Sequence, residues 1–108
     1  MNYIKCSLLF LLTFSCAVNA GPWSGEAKIR SLYPATGGLI FFTDYKDESI
    51  SSCDGGTRFV ISKDHPNYQV MVSSMMAAFV ADLKIKFFIE PGQTRKCEPI
   101  VTLLQVYK

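Results

Sequence analysis

The alternation of apolar and polar residues predicts two strands in the first part of the folded region. Ala27 and Ile29 alternate with charged side chains between residues 25 and 33, which is typical of a strand with one solvated face. Residues 34–38, PATGG, predict a turn, because glycine adopts positive φ without steric cost. Residues 39–43 are apolar on both faces and predict a second strand, covered from both sides and paired with the first in a hairpin.

A third strand follows a long polar loop. Residues 44–56 are polar and end in Asp-Gly-Gly, so they predict a loop that carries Cys53 near its end. Residues 57–62 then predict a strand with Phe59 and Ile61 on one face and polar or smaller side chains on the other.

The character of the chain changes at residue 64, where a helix is predicted to begin. Asp64 is the expected cap of the free backbone N–H groups, and Pro66 is tolerated in a first turn. Residues 68–82 contain neither Gly nor Pro and are rich in Met and Ala, which favour a helix. Four apolar residues at three- to four-residue spacing predict one buried stripe: Tyr68, Val72, Met75 and Phe79. Four more apolar residues lie off that stripe: Val70, Met76, Ala77 and Val80.

Two further strands complete the pattern. Residues 84–90 alternate again, with Ile85, Phe87 and Ile89 inward, and residues 99–107 predict a β-rich final strand. Three strands, one helix and two strands are the element order of the OB-fold, a five-stranded partly open barrel whose end we expect the helix to cover. The sequence therefore predicts a β-rich α+β domain with an OB-like barrel. The alternative is a meander sheet with the helix packed on one face.

The first twenty residues have the pattern of an export signal. Lys5 precedes an apolar run from residue 8 to residue 14, and small residues at Val18 and Ala20 precede a cleavage position before Gly21. The run is short for a membrane span, so a retained anchor is the weaker interpretation. We therefore expect residues 1–20 to be a signal peptide, residues 21–108 to form one domain, and the protein to be secreted or periplasmic.

Two of the four cysteines lie within the predicted signal peptide. They are Cys6 and Cys16, and lipidation of Cys16 is disfavoured because Thr13 stands where a leucine-like residue is needed. Cys53 and Cys97 remain, and two cysteines in a small exported domain most often pair. Their bridge is expected to tie together the two halves of the domain.

Charge argues against two classes of partner. The 108-residue chain has 11 Lys and Arg against 9 Asp and Glu, and loss of Lys5 with the leader brings the balance closer to zero. The charges are scattered singly and form no basic stripe, so we expect neither nucleic acid nor a membrane surface as the main partner.

Motifs of catalysis are absent from the sequence. It contains no His-Glu-x-x-His, no Gly-x-Ser-x-Gly and no phosphate-binding glycine loop, so we expect neither enzyme activity nor a cofactor. His65, the only histidine, lies between Asp64 and Pro66 and is interpreted as a solvated or capping-region side chain. Residues 44–54 include four acidic side chains, but their spacing does not match a calcium loop, so no metal site is predicted.

Two groups of residues are candidates for binding. Exposed rings and a nearby carboxylate suit a sugar or peptide ligand, and the candidates for this surface are Trp23, Tyr45, Asp47 and Phe88. The helix has more apolar residues than one buried stripe requires, which suggests an association surface that includes Val70, Ser73 and Ala77. The alternative for Trp23 is a cover over the barrel end, and for the helix it is full burial.

In three features the chain resembles the OB-fold binding subunits of AB5-type toxins of the subtilase-cytotoxin-like kind. These features are the start Trp23-Ser24-Gly25, the single helix over residues 68–81, and the stretch KIKFFIEPG that leads to Cys97. Small secreted proteobacterial proteins also share the Tyr-x-x-Met-x-Ser pattern of residues 68–73. The resemblance implies an OB-fold and binding without catalysis, with glycan ligands and ring-shaped pentamers in the toxin subunits.

The function expected from the sequence is that of a non-catalytic, exported binding protein with a glycan or a protein as its ligand. An oligomeric structural or assembly component of the cell envelope is the first alternative, and the apolar helix favours it. A small hydrolase or inhibitor that presents the disulfide-anchored loop 44–56 is the second.

Overall fold

The computed structural model describes residues 23–108. The predicted signal peptide, with Cys6, Cys16 and the cleavage position before Gly21, lies outside the described residues, so these features stay predictions.

Within residues 23–108, five strands and one α-helix follow the predicted order, and a 3-10 helix of three residues (Asp54–Gly56) lies in the loop before the third strand. The elements are β1 (Ala27–Ala35), β2 (Gly38–Thr43), β3 (Arg58–Ser62), α1 (Tyr68–Val80), β4 (Lys84–Ile89) and β5 (Val101–Tyr107). All neighbouring strands pair antiparallel in one sheet of order β3-β2-β1-β4-β5. The β-rich α+β class is therefore confirmed.

The sheet stays open between its two edge strands, β3 and β5. Within residues 23–108, one isolated parallel bridge joins these edges: Val60 pairs with Ile100, and the Val60 N–H donates to the Pro99 carbonyl at 3.0 Å. The helix α1 packs against β1, β3 and β5 and covers the core from one side. The sheet is therefore not closed, and the predicted OB-like barrel is not confirmed.

The core is built around three phenylalanine rings. Phe41, Phe59 and Phe87 are fully buried, with centroid distances of 4.8 Å between Phe59 and Phe87 and 5.3 Å between Phe41 and Phe87. Their strand neighbours Phe42 and Phe88 lie on the other face of the sheet and are half-buried. Each adjacent pair therefore places one ring on either face of the sheet.

The turn between β1 and β2 is shorter than predicted, because β1 continues through Pro34 to Ala35. Gly38 begins β2 at a φ of +150°, and a Cβ there would collide with the carbonyl of Ile61 in β3. Only glycine allows β3 to approach β2 so closely at this point.

The buried stripe of the helix differs from the prediction. The buried residues are Met71, Met75 and Ala78, with Tyr68 and Val72 packed at the margin. Phe79, which was expected in the stripe, is 44% exposed. The predicted stripe was wrong at its C-terminal end because Ala78, rather than Phe79, faces the sheet.

The expected capping role of Asp64 was also wrong. The helix begins after Asn67, whose side chain makes no capping hydrogen bond. The His65 ring takes part instead, since its Nδ1 accepts from the Asn67 N–H at 2.9 Å, and the His65 carbonyl accepts from Tyr68 N–H at 3.0 Å. The helix ends before Asp82, which has a φ of +55°.

Candidate functional site

A cleft of about 430 Å³ lies where the start of the described chain meets two loops. One wall is the segment from Tyr45 to Ile50 after β2, and the other is the turn from Ile89 to Gln93 after β4. Trp23 stands at the rim, so three of the four residues predicted for a ligand surface line this cleft: Trp23, Tyr45 and Asp47.

Trp23 is held in place by the residue that follows it. Ser24 is buried, and its N–H donates to the Phe87 carbonyl at 2.8 Å while its Oγ accepts from the Phe87 N–H at 2.9 Å. These bonds set the indole edge-on against Phe88, with ring centroids 5.3 Å apart. Phe88 therefore supports Trp23 from beside the cleft rather than lining it, and Trp23 remains 43% exposed.

Tyr45 forms the floor of the cleft on the opposite side. Its ring packs edge-on against Phe87 at 5.7 Å and lies 6.3 Å from Phe59, so it joins the cleft to the core. The buried Thr43 fixes its backbone, because Thr43 Oγ1 lies 3.1 Å from both the N and the O of Tyr45. Burial, and secondarily the Asp47 carboxylate, raise the pKa of the Tyr45 phenol above its usual value.

Asp47 organises the loop that carries it. Its Oδ1 accepts from both the N–H and the Oγ of Ser49, and its carbonyl accepts from the N–H groups of Ile50 and Ser51. Gly56 packs directly beneath: at a φ of +85°, a Cβ there would approach the Asp47 and Glu48 backbone to 2.7 Å. The loop is thus a folded turn with defined walls.

The disulfide holds the two walls together. Cys53 and Cys97 are bonded, with their Cα atoms 4.7 Å apart, which confirms the predicted pairing. Next to the bridge, the Ser52 N–H donates to the Lys96 carbonyl at 2.9 Å and the Lys96 N–H donates to the Ile50 carbonyl at 3.0 Å. The first loop therefore cannot move away from the segment that follows β4 without breaking several bonds.

The turn after β4 supplies cleft residues that the sequence did not single out. Glu90 and Gln93 line the cleft opposite Asp47. The Gln93 amide braces the turn, since its Nε2 donates to the carbonyls of Glu90 and Ile100 and its Oε1 accepts from the Ile100 N–H, all at 2.9 Å. The only sequence signal for this turn was Pro91-Gly92, which marks a turn without showing what it faces.

The cleft has an acidic character. Among the described residues, its lining includes two carboxylates, Asp47 and Glu90, and neither a lysine nor an arginine. A second groove of about 410 Å³ lies in the gap between β3 and the segment before β5, but no aromatic ring of the described part of the chain lines it. The cleft beside Trp23 is the better candidate site, because it combines aromatic surface with polar groups.

The residues predicted for an association surface lie on the solvent side of α1. Val70, Ser73 and Ala77 are all exposed, and Val70 retains 67% of its accessible surface. Val80 is 84% exposed and continues the same side. The helix carries no charged residue over its whole length, which is unusual for a solvated helix face.

His65 lies in the capping region of α1, as the sequence predicted, and makes a contact with β5 that the sequence did not indicate. Its Nε2 lies 2.8 Å from the Thr102 carbonyl, and its Nδ1 accepts from the Asn67 N–H. This arrangement places the proton on Nε2, and the ring then links the start of α1 to β5.

Two further findings concern the part of the chain from residue 23 onward. No three side chains of the His, Cys, Asp and Glu types come together there in a way that would hold a metal ion. None of its helices has the length and apolar character needed to span a membrane.

We expect stability to fall as the pH rises above about 10, and Tyr45→Phe to reduce this fall. The folded state keeps the Tyr45 proton to a higher pH than the unfolded state does, because its pKa is raised. This contribution is complete below the unfolded pKa and is lost as the pH passes the folded pKa. Urea unfolding between about pH 9 and 11 measures it, with Tyr33→Phe as the control. Equal slopes for wild type and Tyr45→Phe would contradict the raised pKa.

Comparisons of the chain with protein-family models, with curated proteins and with solved structures found no match. The likeness to toxin binding subunits stays an expectation from the sequence, and function has to be inferred from the cleft and the surfaces themselves.

Proposed function

We propose that this chain is a non-catalytic, exported binding protein of OB-like fold that binds a glycan in the cleft beside Trp23. The observation that carries the proposal is the meeting of Trp23, Tyr45 and Asp47 along one cleft. Aromatic faces pack on the apolar faces of sugar rings, and a carboxylate accepts hydrogen bonds from hydroxyl groups. Export is supported by the leader-like start of the sequence and by the disulfide.

The position of the cleft also suits an OB-like protein. In OB-folds, oligosaccharides bind with the help of the loop between strands four and five, and here Glu90 and Gln93 come from the corresponding turn. The open sheet with its edges bridged at Val60 and Ile100 is compatible with a partly open barrel.

The charge of the cleft specifies the kind of glycan. Within residues 23–108, Asp47 and Glu90 line it without a lysine or arginine, so a sugar carboxylate would be repelled. We therefore expect neutral or amino-bearing sugars to bind and sialylated or uronic sugars to bind more weakly.

A glycan array followed by titration calorimetry tests this proposal. We expect a neutral or amino sugar to bind, to be recovered uncleaved, and to lose affinity by about tenfold or more in Trp23→Ala, because the exposed indole face is removed. Tyr33→Ala is the matched control, since Tyr33 is an exposed ring of β1 away from the cleft. Absence of binding across the array, a preference for acidic sugars, or cleavage of the sugar would each contradict the proposal.

A second candidate function is that of an oligomeric component of the cell envelope. The charge-free outer side of α1, with Val70, Ser73 and Ala77, favours it. Sedimentation of the wild type beside Val70→Glu tests it, because a glutamate on that side should disrupt an association through the helix.

A further inference from the structure

The two edges of the sheet differ in how their outward backbone groups are used. On β3 these groups belong to Arg58, Val60 and Ser62, and other parts of the chain bind one group of each residue. The three bonds are Ser51 Oγ to the Arg58 carbonyl (2.8 Å), Val60 N–H to the Pro99 carbonyl (3.0 Å), and His65 N–H to the Ser62 carbonyl (3.0 Å). The β3 edge is therefore covered by the protein itself.

The β5 edge is covered only at its start, where His65 Nε2 lies 2.8 Å from the Thr102 carbonyl. From Leu104 onward, no other part of residues 23–108 binds its outward backbone groups. Both backbone groups of Phe87 in β4 bind Ser24, so they face away from β5. Phe87 lies opposite Leu104, and in an antiparallel ladder this makes the pair a non-hydrogen-bonded one. The N–H and C=O of Leu104 therefore also face outward, and by alternation so do those of Val106. Within residues 23–108, no backbone bond from outside the sheet reaches either residue.

Between residues 103 and 107, the side chains beside this edge are uncharged, and all of them except Gln105 are apolar or aromatic. Leu104 and Val106 pack against the core, which places Leu103, Gln105 and Tyr107 on the outer face of the sheet. Leu103 is 51% exposed and lies opposite Phe88, the residue on which Trp23 packs. Trp23, Phe88 and Leu103 thus form an apolar row across the outer face of the sheet, and this row ends at the β5 edge.

We propose that β5 pairs with β5 of a second copy, antiparallel about a twofold axis at Gln105, to give a dimer with one continuous sheet. In this register Leu104 forms hydrogen-bonded pairs with Val106 of the other copy, which satisfies the outward groups of both residues. Leu103 then lies opposite the other Tyr107, an apolar–aromatic pair that extends the row, and no like charges are opposed between residues 103 and 107.

Because the β3 edge is already covered, the strand that pairs with β5 is expected to be β5 of a second copy. A head-to-tail pairing of β5 with β3 of the next copy would have to displace the bonds to Pro99 and His65. Pairing of two β5 edges displaces nothing and closes after two copies. About five paired residues bury less than the ~800 Å² per partner of a stable complex, so we expect a Kd on the order of 100 µM.

Sedimentation equilibrium of the disulfide-bonded protein tests the dimer, from about 10 µM to about 1 mM. We expect the wild type to approach twice the monomer mass, and Gln105→Lys to weaken association by about tenfold or more. The new lysine would lie opposite its own copy in a close pair and beside Lys86 in its own sheet. Ser31→Lys is the matched control, because Ser31 is an exposed residue of β1 and should leave association unchanged.

Mixing two variants tests the axis itself. Equal amounts of Gln105→Lys and Gln105→Glu should form heterodimers at least as readily as the wild type forms dimers, since opposite charges then face each other. A wild type that stays monomeric at about 1 mM would overturn the proposal. Unchanged association of Gln105→Lys would also overturn it. Loss of association in Val70→Glu but not in Gln105→Lys would overturn it as well, because the contact would then be assigned to α1.

Discussion

Replacing both Cys53 and Cys97 with serine is expected to lower the free energy of unfolding by about 4 kcal/mol. The bridge spans 44 residues of sequence, so it removes a large share of the conformational freedom of the unfolded chain. A domain of this size has a total stability of roughly 5–15 kcal/mol. The substitution should therefore leave a protein that folds in buffer but unfolds at much lower urea concentration.

Urea unfolding followed by circular dichroism measures this change, since the midpoint and the slope together give the free energy. Reduced wild type is the matched control, and it should unfold at the same urea concentration as the double serine variant. A loss well below about 1 kcal/mol would show that the unfolded chain is already constrained, for instance by residual structure.

The contacts around the bridge explain why the variant should still fold. The bonds between Ser52, Lys96 and Ile50 are independent of the sulfur atoms. Arg95 adds a further tie, since its Nε donates to the Glu48 carbonyl at 2.7 Å. These bonds join the same two segments, so loss of the disulfide weakens the cleft walls without separating them in the folded state.

The strands were the part of the fold that the sequence predicted best. Phe59, Ile61, Ile85 and Phe87 are all fully buried, as their alternation indicated. Period two is a strong signal where one face of a sheet packs on a core, because a shift by one residue would expose every apolar side chain. The closure of the sheet depends on how far β3 and β5 approach each other, and no local pattern specifies that distance.

The helix shows where periodicity fails. Its thirteen residues include no charged side chain, so no polar face defines which side is buried. Phe79 and Ala78 are both compatible with the spacing, and the choice of the smaller residue follows from how closely α1 approaches the sheet. The prediction of Asp64 as the helix cap was wrong for a related reason. The His65 ring takes that place, and it is held there by a tertiary contact with the Thr102 carbonyl, which no local pattern specifies.

Part of the candidate site could be predicted and part could not. Trp23, Tyr45 and Asp47 were selected as exposed rings and a nearby carboxylate, and they line the same cleft. Glu90 and Gln93 complete it from a segment more than forty residues away, which follows β4 and is held beside the first loop by the disulfide and the bonds around it. The open β5 edge could not be predicted from the sequence either, because it depends on which neighbouring strand the backbone N–H and C=O of Phe87 face.

Phe87→Ala is expected to lower the free energy of unfolding by about 4 kcal/mol, as large aromatic truncations in a packed core do. Phe87 is fully buried and contacts the rings of Phe41, Phe59 and Tyr45. Its removal leaves a cavity between the core and the floor of the cleft, so Tyr45 should lose part of its fixed position as well.

Phe88→Ala is the matched control for this prediction, because it removes the same ring from the next position of the same strand. Phe88 is half-buried on the outer face and contacts Trp23, so its loss should cost about 1 kcal/mol and leave the core intact. Urea unfolding of the two variants at equal concentration gives the comparison. If the two alanine variants were equally destabilised, the ring cluster of Phe41, Phe59 and Phe87 would not be the centre of the fold. The outer aromatic row would then carry as much of the stability as the core.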